Sequence, residues 1–403
     1  MKTAVVGGGA AGFFLAVNLK EMMPDMEVVI FERSHHVLAK VEVSGGGRCN
    51  CTNSFASVSD LSQVYPRGHR LLKRLFKVFD QRDAYAWFER HGVRLTTQAD
   101  DCVFPFTQDS HTIINCFLDE ACRLGVDIRT GVRVDDVPGL MSQYDFVCVC
   151  TGGSPRPEGL RWLADAGHAI EAPVPSLFTL SIADSSLKHL MGTVVEGAQL
   201  AVSGTKLRSQ GALLVTHWGV SGPAVLKLSS YGARHLADNG YRVPLSINWT
   251  GLREPDVLQL LQSIVAQSPH KQLHSVRPCG LSVRLWDYLL TKTLGERATN
   301  RWQNLNQKEL NRLVNVLTND TYPTAGRAAF KDEFVTCGGV SLSAVNPSTL
   351  ESRHVPNLYF AGEVLDVDGI TGGFNFQAAW TTAYTVAQSI RAKIEKSQKD
   401  LQD

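Results

Sequence analysis

The stretch from residue 3 to residue 32 constrains the fold more than any other part of the sequence. It reads TAVVGGGAAGFFLAVNLKEMMPDMEVVIFE, a short apolar run, a glycine-rich turn, a helical apolar pattern and a second apolar run ending at Glu32. This order predicts strand, tight turn, helix and strand. In such units the glycines let the backbone approach a pyrophosphate at the helix N-terminus, and the acidic residue binds ribose hydroxyls. We therefore predict a dinucleotide site at Gly7, Gly9, Gly12 and Glu32.

A secretory signal is the alternative interpretation of this stretch, because Lys2 precedes a long apolar run. The three central glycines and the lack of a clear small-residue cleavage site argue against a signal. The chain has nine cysteines, and this odd number does not resemble a disulfide framework. Without an export signal, these cysteines favour a reducing compartment, and we expect a cytoplasmic protein.

The overall charge is balanced, with 40 Lys and Arg residues against 39 Asp and Glu residues. This balance gives no reason to expect nucleic acid or an anionic membrane as a partner, although a local basic patch remains compatible with it. No apolar run approaches the roughly 18 residues that would span a bilayer. We therefore expect a small-molecule substrate and neither a nucleic acid nor a membrane, and the oligomeric state is left open.

A second glycine-rich stretch covers residues 40–53 and reads KVEVSGGGRCNCTN. Its glycines and polar residues predict a loop rather than a helix or a buried strand. Three consecutive glycines can bring the backbone close to a flat or phosphorylated group, and nearby side chains supply hydrogen-bond donors. The alternative is a flexible surface loop.

A third glycine-rich stretch lies near the end of the chain, where FAGEVLDVDGITGGFNFQAAW covers residues 360–380. An apolar strand runs into a turn, and a glycine-rich loop then begins a helix over residues 374–390. A helix N-terminus is again a suitable place for an anionic group.

These three motifs resemble the BaiN-type, aminoacetone-oxidase-like family of FAD-dependent oxidoreductases, and the similarity extends from residue 1 to about residue 390. The resemblance implies that the FAD pyrophosphate lies on the first turn, that the second stretch runs along the flavin, and that the last helix points at the flavin pyrimidine edge. There its dipole would stabilise the anion of reduced flavin. Glu363 is expected to hold the ribityl or phosphate region rather than to catalyse.

The cofactor-binding residues predicted from the motifs and the resemblance are Gly7, Gly9, Ala10, Ala11, Gly12, Glu32, Arg33, Lys40, Ser44, Gly45, Gly46, Gly47, Arg48, Cys49, Asn50, Val134, Thr151, Gly152, Gly153, Gly362, Glu363, Asp366, Gly372, Gly373, Phe374 and Asn375. Val134 is included because a strand predicted over residues 132–137 corresponds to the family strand that contacts adenine. The segment after Gly153 is shorter than in the family, so no substrate contact is transferred from it. No metal site is predicted.

The predicted fold class is α/β, a glutathione-reductase-like FAD-binding Rossmann domain with an inserted β-rich, barrel-like domain and a small helical subdomain. Residues 1–177 and 334–403 form the FAD domain, residues 178–251 and 322–333 the β-rich domain, and residues 252–321 the helical subdomain. Between Gly153 and Gly362 there is no second GxGxxG and no CxxC. We therefore expect no dedicated NAD(P)H site, although NAD(P)H could still act as a transient reductant.

The predicted function is hydride transfer between a small organic substrate and FAD, with oxygen or another acceptor regenerating the flavin. The alternatives are a tRNA-modifying flavoenzyme and a flavin-binding sensor or partner protein without turnover. The substrate is expected between the flavin and residues 176–223, where His217 is a candidate acid or base or, alternatively, only a structural residue. Cys49 and Cys51 suggest a redox pair, but a Cys-x-Cys disulfide requires strained geometry, and we do not expect one.

Overall fold

The computed structural model describes residues 1–328 and 335–400. These residues form two compact units, one containing residues 1–175 and 335–400 and the other residues 176–328. The predicted boundary at residues 333 and 334 lies outside the described residues, and the three-part domain division stays a prediction. We describe each unit by itself.

The strands of both units, in chain order, are β1 (Lys2–Val6), β2 (Glu27–Phe31), β3 (Thr52–Asn53), β4 (Leu95–Thr97), β5 (Cys102–Pro105), β6 (Asp127–Arg129), β7 (Phe146–Val149), β8 (Ile170–Ser176), β9 (Leu180–Ile182), β10 (Val194–Val202), β11 (Arg208–Val215), β12 (Gly219–Ser221), β13 (Pro244–Asn248), β14 (Asp320–Arg327), β15 (Val335–Val340) and β16 (Leu358–Phe360).

The α-helices are α1 (Ala10–Met22), α2 (Ala39–Val43), α3 (His69–Leu75), α4 (Gln81–Arg90), α5 (His111–Leu124), α6 (Val137–Met141), α7 (Arg161–Asp165), α8 (Ser185–Lys188), α9 (Pro223–Tyr231), α10 (Ala233–Asp238), α11 (Glu254–Gln267), α12 (Val283–Leu294), α13 (Gln307–Thr318) and α14 (Phe374–Asp400).

A five-stranded parallel sheet in the order β16-β7-β1-β2-β6 forms the centre of the first unit. Val5 pairs with Ile30 on one side and Cys148 on the other, and all three side chains are fully buried. Parallel strands are covered on both faces, which explains why these segments are continuous apolar runs. The strand order and the parallel pairing confirm the predicted α/β, Rossmann-type fold.

The first and last long helices of the chain, α1 and α14, pack against each other over this sheet, and α1 also packs against α5. Phe14 of α1 is the centre of an aromatic cluster, with ring centroids 4.6 Å from Trp87 and 5.1 Å from Trp380. Such pairs add about 0.5–1.5 kcal/mol each beyond the burial of their area. The C-terminal helix is therefore part of the same core as the N-terminal turn.

Two local predictions in this unit were wrong. Residues 40–53 are not one loop: Ala39–Val43 is helical, and Thr52 pairs with Val103 of β5, a partner 51 residues away that the local composition does not reveal. The strand predicted over residues 132–137 is absent, because Val137 instead begins α6 and Pro138 occupies the first turn of that helix. The helical spacing of apolar residues over 110–124 predicts an amphipathic helix with Gly125 as its cap, and α5 confirms it: the helix covers His111–Leu124 and Gly125 ends it with φ 71°.

A closed antiparallel barrel in the order β10-β11-β12-β9-β14-β13 forms the second unit, which confirms the predicted barrel-like insert. Helices α11, α12 and α13 share one hydrophobic core with the barrel strands. Trp286 of α12 stacks on Trp302 at a centroid distance of 6.3 Å within this core. Over residues 1–328 and 335–400, no helix is long and apolar enough to cross a membrane.

Candidate cofactor-binding site

The turn from β1 into α1 packs so tightly that two of its glycines cannot be replaced without movement of the backbone. A Cβ atom on Gly7 would lie 2.4 Å from the Cys150 carbonyl oxygen, and Gly7 has a φ of 113°. A Cβ atom on Gly12 would lie 2.0 Å from the Gly7 carbonyl oxygen. These two residues therefore let the turn lie against the end of β7 and let the helix begin close to the strand.

Gly9 is different, because a Cβ atom there would have no neighbour within 4 Å. Gly9 is the N-cap of α1, no side chain caps the helix, and its first turn contains no acidic residue. The first N–H groups of a helix lack intrahelical partners and attract an anion. The open space at Gly9, with Ala10 and Ala11 at the start of the helix, fits the pyrophosphate of a dinucleotide.

Glu32 is fixed beside this turn by two backbone donors. Its Oε2 accepts a hydrogen bond from Gly8 N at 2.8 Å, and its Oε1 accepts one from Ser34 N at 2.9 Å. Each carboxylate oxygen can accept a further bond, so Glu32 remains able to receive ribose hydroxyls. Val132 N donates to the Glu32 carbonyl at 2.9 Å, which brings half-buried Val134 and exposed Arg33 to the same edge.

The glycine run of the second motif has a left-handed backbone at all three positions, with φ 57° at Gly45, 69° at Gly46 and 83° at Gly47. Such a run is accessible only to glycine without strain. The Ser44 hydroxyl donates to the Val41 carbonyl at 2.7 Å, which fixes the start of the run. Arg48 lies over the Phe104 ring at 4.3 Å and fixes its end.

The second and third glycine-rich motifs contact each other directly. Asn53 Nδ2 donates to the Gly372 carbonyl at 2.9 Å, and with the Asn50 amide nitrogen facing the Val103 and Thr52 carbonyls, Asn50 Oδ1 accepts from Gly373 N at 3.2 Å. A Cβ atom on Gly373 would lie 2.2 Å from the Thr52 carbonyl oxygen. Two segments more than 300 residues apart thus form one surface at the N-terminus of α14.

The residues that begin α14 are held by side chains on both sides. The Asn375 amide pairs with the Gly369 peptide, accepting from Gly369 N at 2.8 Å and donating to the Gly369 carbonyl at 3.0 Å. The Tyr65 hydroxyl donates to the Phe374 carbonyl at 2.8 Å, and the Phe374 side chain is buried. The geometry of this helix start is therefore set before any ligand binds.

Glu363 connects Lys40 with the turn formed by residues 151–153. Its Oε2 lies 3.2 Å from Lys40 Nζ, and its Oε1 accepts from Thr336 N at 2.7 Å. A Cβ atom on Gly153 would lie 2.6 Å from Glu363 Oε1, so the Thr151 to Gly153 turn lies against this carboxylate. Glu363 thus holds Lys40, β15 and the Thr151 to Gly153 turn together, and its expected role at the ribityl or phosphate region stays a prediction.

Gly362 and Asp366 complete the set. Gly362 has a φ of 77°, and a Cβ atom there would lie 2.9 Å from the Ala11 Cβ atom, so the end of β16 lies against the start of α1. Asp366 is half-buried, and its N–H donates to the Val340 carbonyl at 2.9 Å. The first unit thus brings the three motifs and the Thr151 to Gly153 turn into one region.

The cysteines in the second motif are buried free thiols. Burial raises the pKa of Cys49 to about 12 and the pKa of Cys51 well above its ordinary value. A reactive cysteine needs a thiolate, and these environments disfavour it. Cys49 and Cys51 are therefore packing residues, and Cys49 adopts a left-handed backbone with φ 58° beside the glycine run.

His217 is not among the residues that the first unit brings together. It lies in the second unit, in the exposed turn between β11 and β12, where its ring packs on Trp218 at a centroid distance of 4.7 Å. Its predicted acid–base role stays a prediction.

The sequence analysis missed the ion pair that fixes the third motif. Arg67 Nε donates to Asp368 Oδ1 at 2.6 Å, a second bond joins Arg67 Nη2 to Asp368 Oδ2, and the Asp368 side chain is fully buried. Asp368 lies inside the third motif directly before Gly369, so an acidic residue in the glycine-rich loop was a usable signal. Nothing in a single sequence points to Arg67, which lies 301 residues away.

Comparison with known proteins agrees with this geometry. A family model described as "HI0933-like protein Rossmann domain" matches residues 1–389. The chain is 27% identical to a ribosomal RNA dihydrouridine synthase of Escherichia coli, with 96% of this chain and 97% of the relative covered. It is 25% identical to a 3-dehydro-bile acid delta(4,6)-reductase of Clostridium scindens, with 96% and 98% covered.

A solved structure shares the fold. The crystal structure of 3-ketosteroid delta1-dehydrogenase from Sterolibacterium denitrificans, in complex with 1,4-androstadiene-3,17-dione, matches with a TM-score of 0.50 at 11% identity over 97% of this chain and 99% of that chain. The family resemblance predicted from the motifs is confirmed by the match over residues 1–389. The chain belongs to the HI0933-like Rossmann-domain family and is an FAD-dependent flavoprotein oxidoreductase.

Proposed function

We propose that this enzyme transfers a hydride between FAD and a small organic substrate, at a carbon–carbon bond conjugated to a carbonyl group. The proposal rests on the cofactor site of the first unit, where the three glycine-rich motifs lie in one region. This site has an open space at the N-terminus of α1, a Glu32 side chain fixed by backbone donors, and a start of α14 that is formed without a ligand. A relative named as a delta(4,6)-reductase supports the choice of bond.

The protein residues hold the cofactor and fix its orientation. The N–H groups at the start of α1 would hold the pyrophosphate, Glu32 would bind the ribose, and the glycine run at Gly45 to Gly47 would let the backbone approach the ring. The N-terminus of α14 would place a partial positive charge beside the flavin. FAD, when bound, supplies the hydride chemistry itself.

The chain's own contribution to catalysis is then mainly positioning. The sequence between Gly153 and Gly362 contains no second GxGxxG and no CxxC, so the electrons are not passed through a built-in nucleotide domain or disulfide. Holding the reacting carbon against the flavin can supply a large part of the rate. NAD(P)H, if it is the reductant, binds transiently.

We also propose a cytoplasmic location, which the nine free cysteines support.

The test is anaerobic reduction of the bound flavin, followed by the loss of absorbance near 450 nm. The panel contains NADH, NADPH, primary amines, saturated ketosteroids and, after prior reduction of the flavin, enones as oxidants. Reoxidation by enones, or reduction by saturated ketones, supports the proposal. Fast reduction by amines with no response to enones would assign the enzyme to amine oxidation instead.

A flavin that no member of the panel reduces or reoxidises would point to a flavin-binding protein without turnover. In that case the protein would retain FAD stoichiometrically and show no reaction faster than that of free FAD. This outcome would refute the proposed enzymatic reaction while leaving the cofactor assignment intact.

A second candidate is the reduction of uridine in an RNA, and the distribution of charge favours it. Residues 176–333 contain 17 Lys and Arg against 11 Asp and Glu, whereas the rest of the chain contains 23 against 28. The balanced total therefore conceals a basic unit, and such asymmetry is typical of proteins that bind polyanions. The name of the Escherichia coli relative agrees with this candidate.

The second unit also has a surface that could bind RNA. An open groove of about 950 Å³ beside α13 is lined by Lys308, Arg312, Asn311 and Asn315, together with Lys292, whose charge is paired with Asp320 of the same lining. The double variant Lys308→Glu with Arg312→Glu should weaken binding of a uridine-containing RNA and lower its salt dependence. Lys396→Glu in the first unit is the matched control. Equal RNA binding by both variants would exclude this groove.

A further inference from the structure

Three side chains from separate helical segments meet at the C-terminal end of α1, away from the glycine-rich motifs. Glu21 lies in the last turn of α1, His91 directly follows α4, and Glu120 lies in α5. One potential ligand atom from each lies within 4.8 Å of the others. His91 Nε2 is 2.9 Å from Glu21 Oε1. The cofactor site uses none of these residues.

His91 is held in the orientation that a metal ligand needs. Its Nδ1 lies 2.7 Å from the Trp87 carbonyl oxygen, and because a carbonyl can only accept, Nδ1 bears the proton. His91 Nε2 faces Glu21 Oε1, and a carboxylate oxygen also can only accept, so in the metal-free protein Nε2 bears a proton as well and donates it to Glu21; a bound metal ion would take the place of that proton. The ring stacks on Trp87 at a centroid distance of 3.9 Å, and only 9% of the side chain is exposed. A backbone acceptor on the other ring nitrogen is the usual support of a metal-binding histidine.

Arg123 orients Glu120 without occupying both of its oxygens. Its Nε donates to Glu120 Oε2 at 3.0 Å, and its Nη2 bonds to the same oxygen. Within the described residues, Glu120 Oε1 is left for another ligand. Arg123 Nη2 also lies 3.8 Å from Glu21 Oε1. With both ring nitrogens of His91 protonated, the imidazolium and the Arg123 guanidinium balance the two carboxylates, and release of the Nε2 proton would leave one negative charge to attract a cation.

We propose that Glu21, His91 and Glu120 bind a divalent transition metal ion, with Zn²⁺ as the preferred ion. One imidazole nitrogen and two carboxylate oxygens suit Zn²⁺ better than Mg²⁺ or Ca²⁺, and water completes a tetrahedral set. Ligands about 2.0–2.2 Å from the ion stand roughly 3.4 Å apart, so His91 Nε2 and Glu21 Oε1 must separate slightly from 2.9 Å, while ligand atoms up to 4.8 Å apart must approach one another. The Glu21 side chain, 34% exposed, is free to make this movement.

The metal ion would connect the C-terminal end of α1 to α4 and α5. The opposite end of α1 begins at Gly9, where the cofactor pyrophosphate is expected. Binding at the far end would therefore stabilise the helix that holds the cofactor, without contact between the metal ion and the flavin. A ligand that binds only the folded state stabilises it by RT ln(1 + L/Kd), where L is the free ligand concentration, so the unfolding midpoint should rise with the metal concentration.

The test uses the full-length flavoprotein after treatment with a chelator. Isothermal titration with ZnCl₂ should show one site per chain, the unfolding midpoint should rise, and MgCl₂ should do neither. Glu120→Gln and Glu21→Gln keep the side-chain volume and should each weaken Zn²⁺ binding at least tenfold. Asp109→Asn, which alters the exposed Asp109–His111 pair of 2.9 Å, is the matched control and should leave binding unchanged.

Two further measurements keep the proposal refutable if a variant folds poorly. The flavin spectrum of each variant reports whether the first unit is intact. Cys122, an exposed thiol two residues from Glu120, could bind Zn²⁺ by itself, and Cys122→Ser removes this source. Co²⁺ bound to wild type should give visible bands without a thiolate charge-transfer band. Zn²⁺ binding lost in Cys122→Ser, or equal in wild type and both Glu variants, would overturn the proposal.

Discussion

Substitution of two glycines in the same turn should separate binding of the cofactor from stability of the fold. Gly9→Ala adds a methyl group where no atom lies within 4 Å, whereas Gly12→Ala adds one 2.0 Å from the Gly7 carbonyl oxygen. Gly9 has φ −95° and ψ −168°, an extended conformation that alanine also adopts. We therefore expect Gly9→Ala to weaken FAD binding with little effect on stability, and Gly12→Ala to lower the stability of the fold.

The magnitudes follow from the two environments. In the cofactor-free protein Gly9→Ala should cost less than about 1 kcal/mol, the loss of a favoured N-cap residue. In the holoenzyme the methyl group should clash with the pyrophosphate at about 1–3 kcal/mol, which weakens FAD binding roughly 5- to 150-fold. Gly9→Val should abolish FAD retention. Gly12→Ala gains about 1 kcal/mol of helix propensity but must displace backbone, so we expect a net loss of about 2 kcal/mol or more.

The assay compares urea unfolding of the cofactor-free proteins with FAD titration followed by flavin fluorescence. Unchanged flavin affinity in Gly9→Ala and Gly9→Val would show that the pyrophosphate does not lie at this turn. Equal destabilisation of the cofactor-free Gly9→Ala and Gly12→Ala proteins would show that the space at Gly9 is not open in solution. Either result would refute the reasoning.

Three other substitutions or treatments test separate parts of the structure. Asp368→Asn should destabilise the protein by about 3–5 kcal/mol in urea unfolding, because Arg67 would keep a buried charge without its ionic partner; a change below about 1 kcal/mol would contradict this. Ellman's reagent should rapidly modify only the exposed Cys122 and Cys279 of the native protein at pH 8, because burial raises the pKa of the Cys49 thiol to about 12 and that of the half-buried Cys102 thiol to about 11; rapid reaction of more than three thiols would show that the buried sites open. His217→Gln should slow flavin reduction in stopped-flow experiments without changing FAD content. Loss of FAD or of folding in this variant would instead show that His217 has a structural role.

The sequence by itself determined the first β–α–β segment and therefore the type of fold. Gly7, Gly9, Gly12 and Glu32 lie within 26 residues of sequence. Gly7 permits the turn, Gly9 permits a close approach to the backbone, Gly12 lets the helix begin next to the strand, and Glu32 follows the second strand. Apolar periodicity also indicated α5 and the β-rich character of the insert, where alternating stretches match β9, β10 and β11, because burial on one face leaves a periodic pattern. Local rules suffice when all the interacting residues are close in sequence.

Tertiary structure decided how the distant motifs combine. Lys40 meets Glu363 across 323 residues, and Thr52 becomes a strand only because β5 lies beside it. The segment predicted as a strand at residues 132–137 leaves the sheet after one bond to Glu32 and becomes a helix at Val137. This third case is decided locally, by the helix that begins at Val137 with Pro138 in its first turn. In the first two cases the deciding partner is remote, and backbone hydrogen bonds and close packing select among local conformations that the sequence permits. The grouping of Glu21, His91 and Glu120 has the same origin, since three helices must pack before their side chains meet.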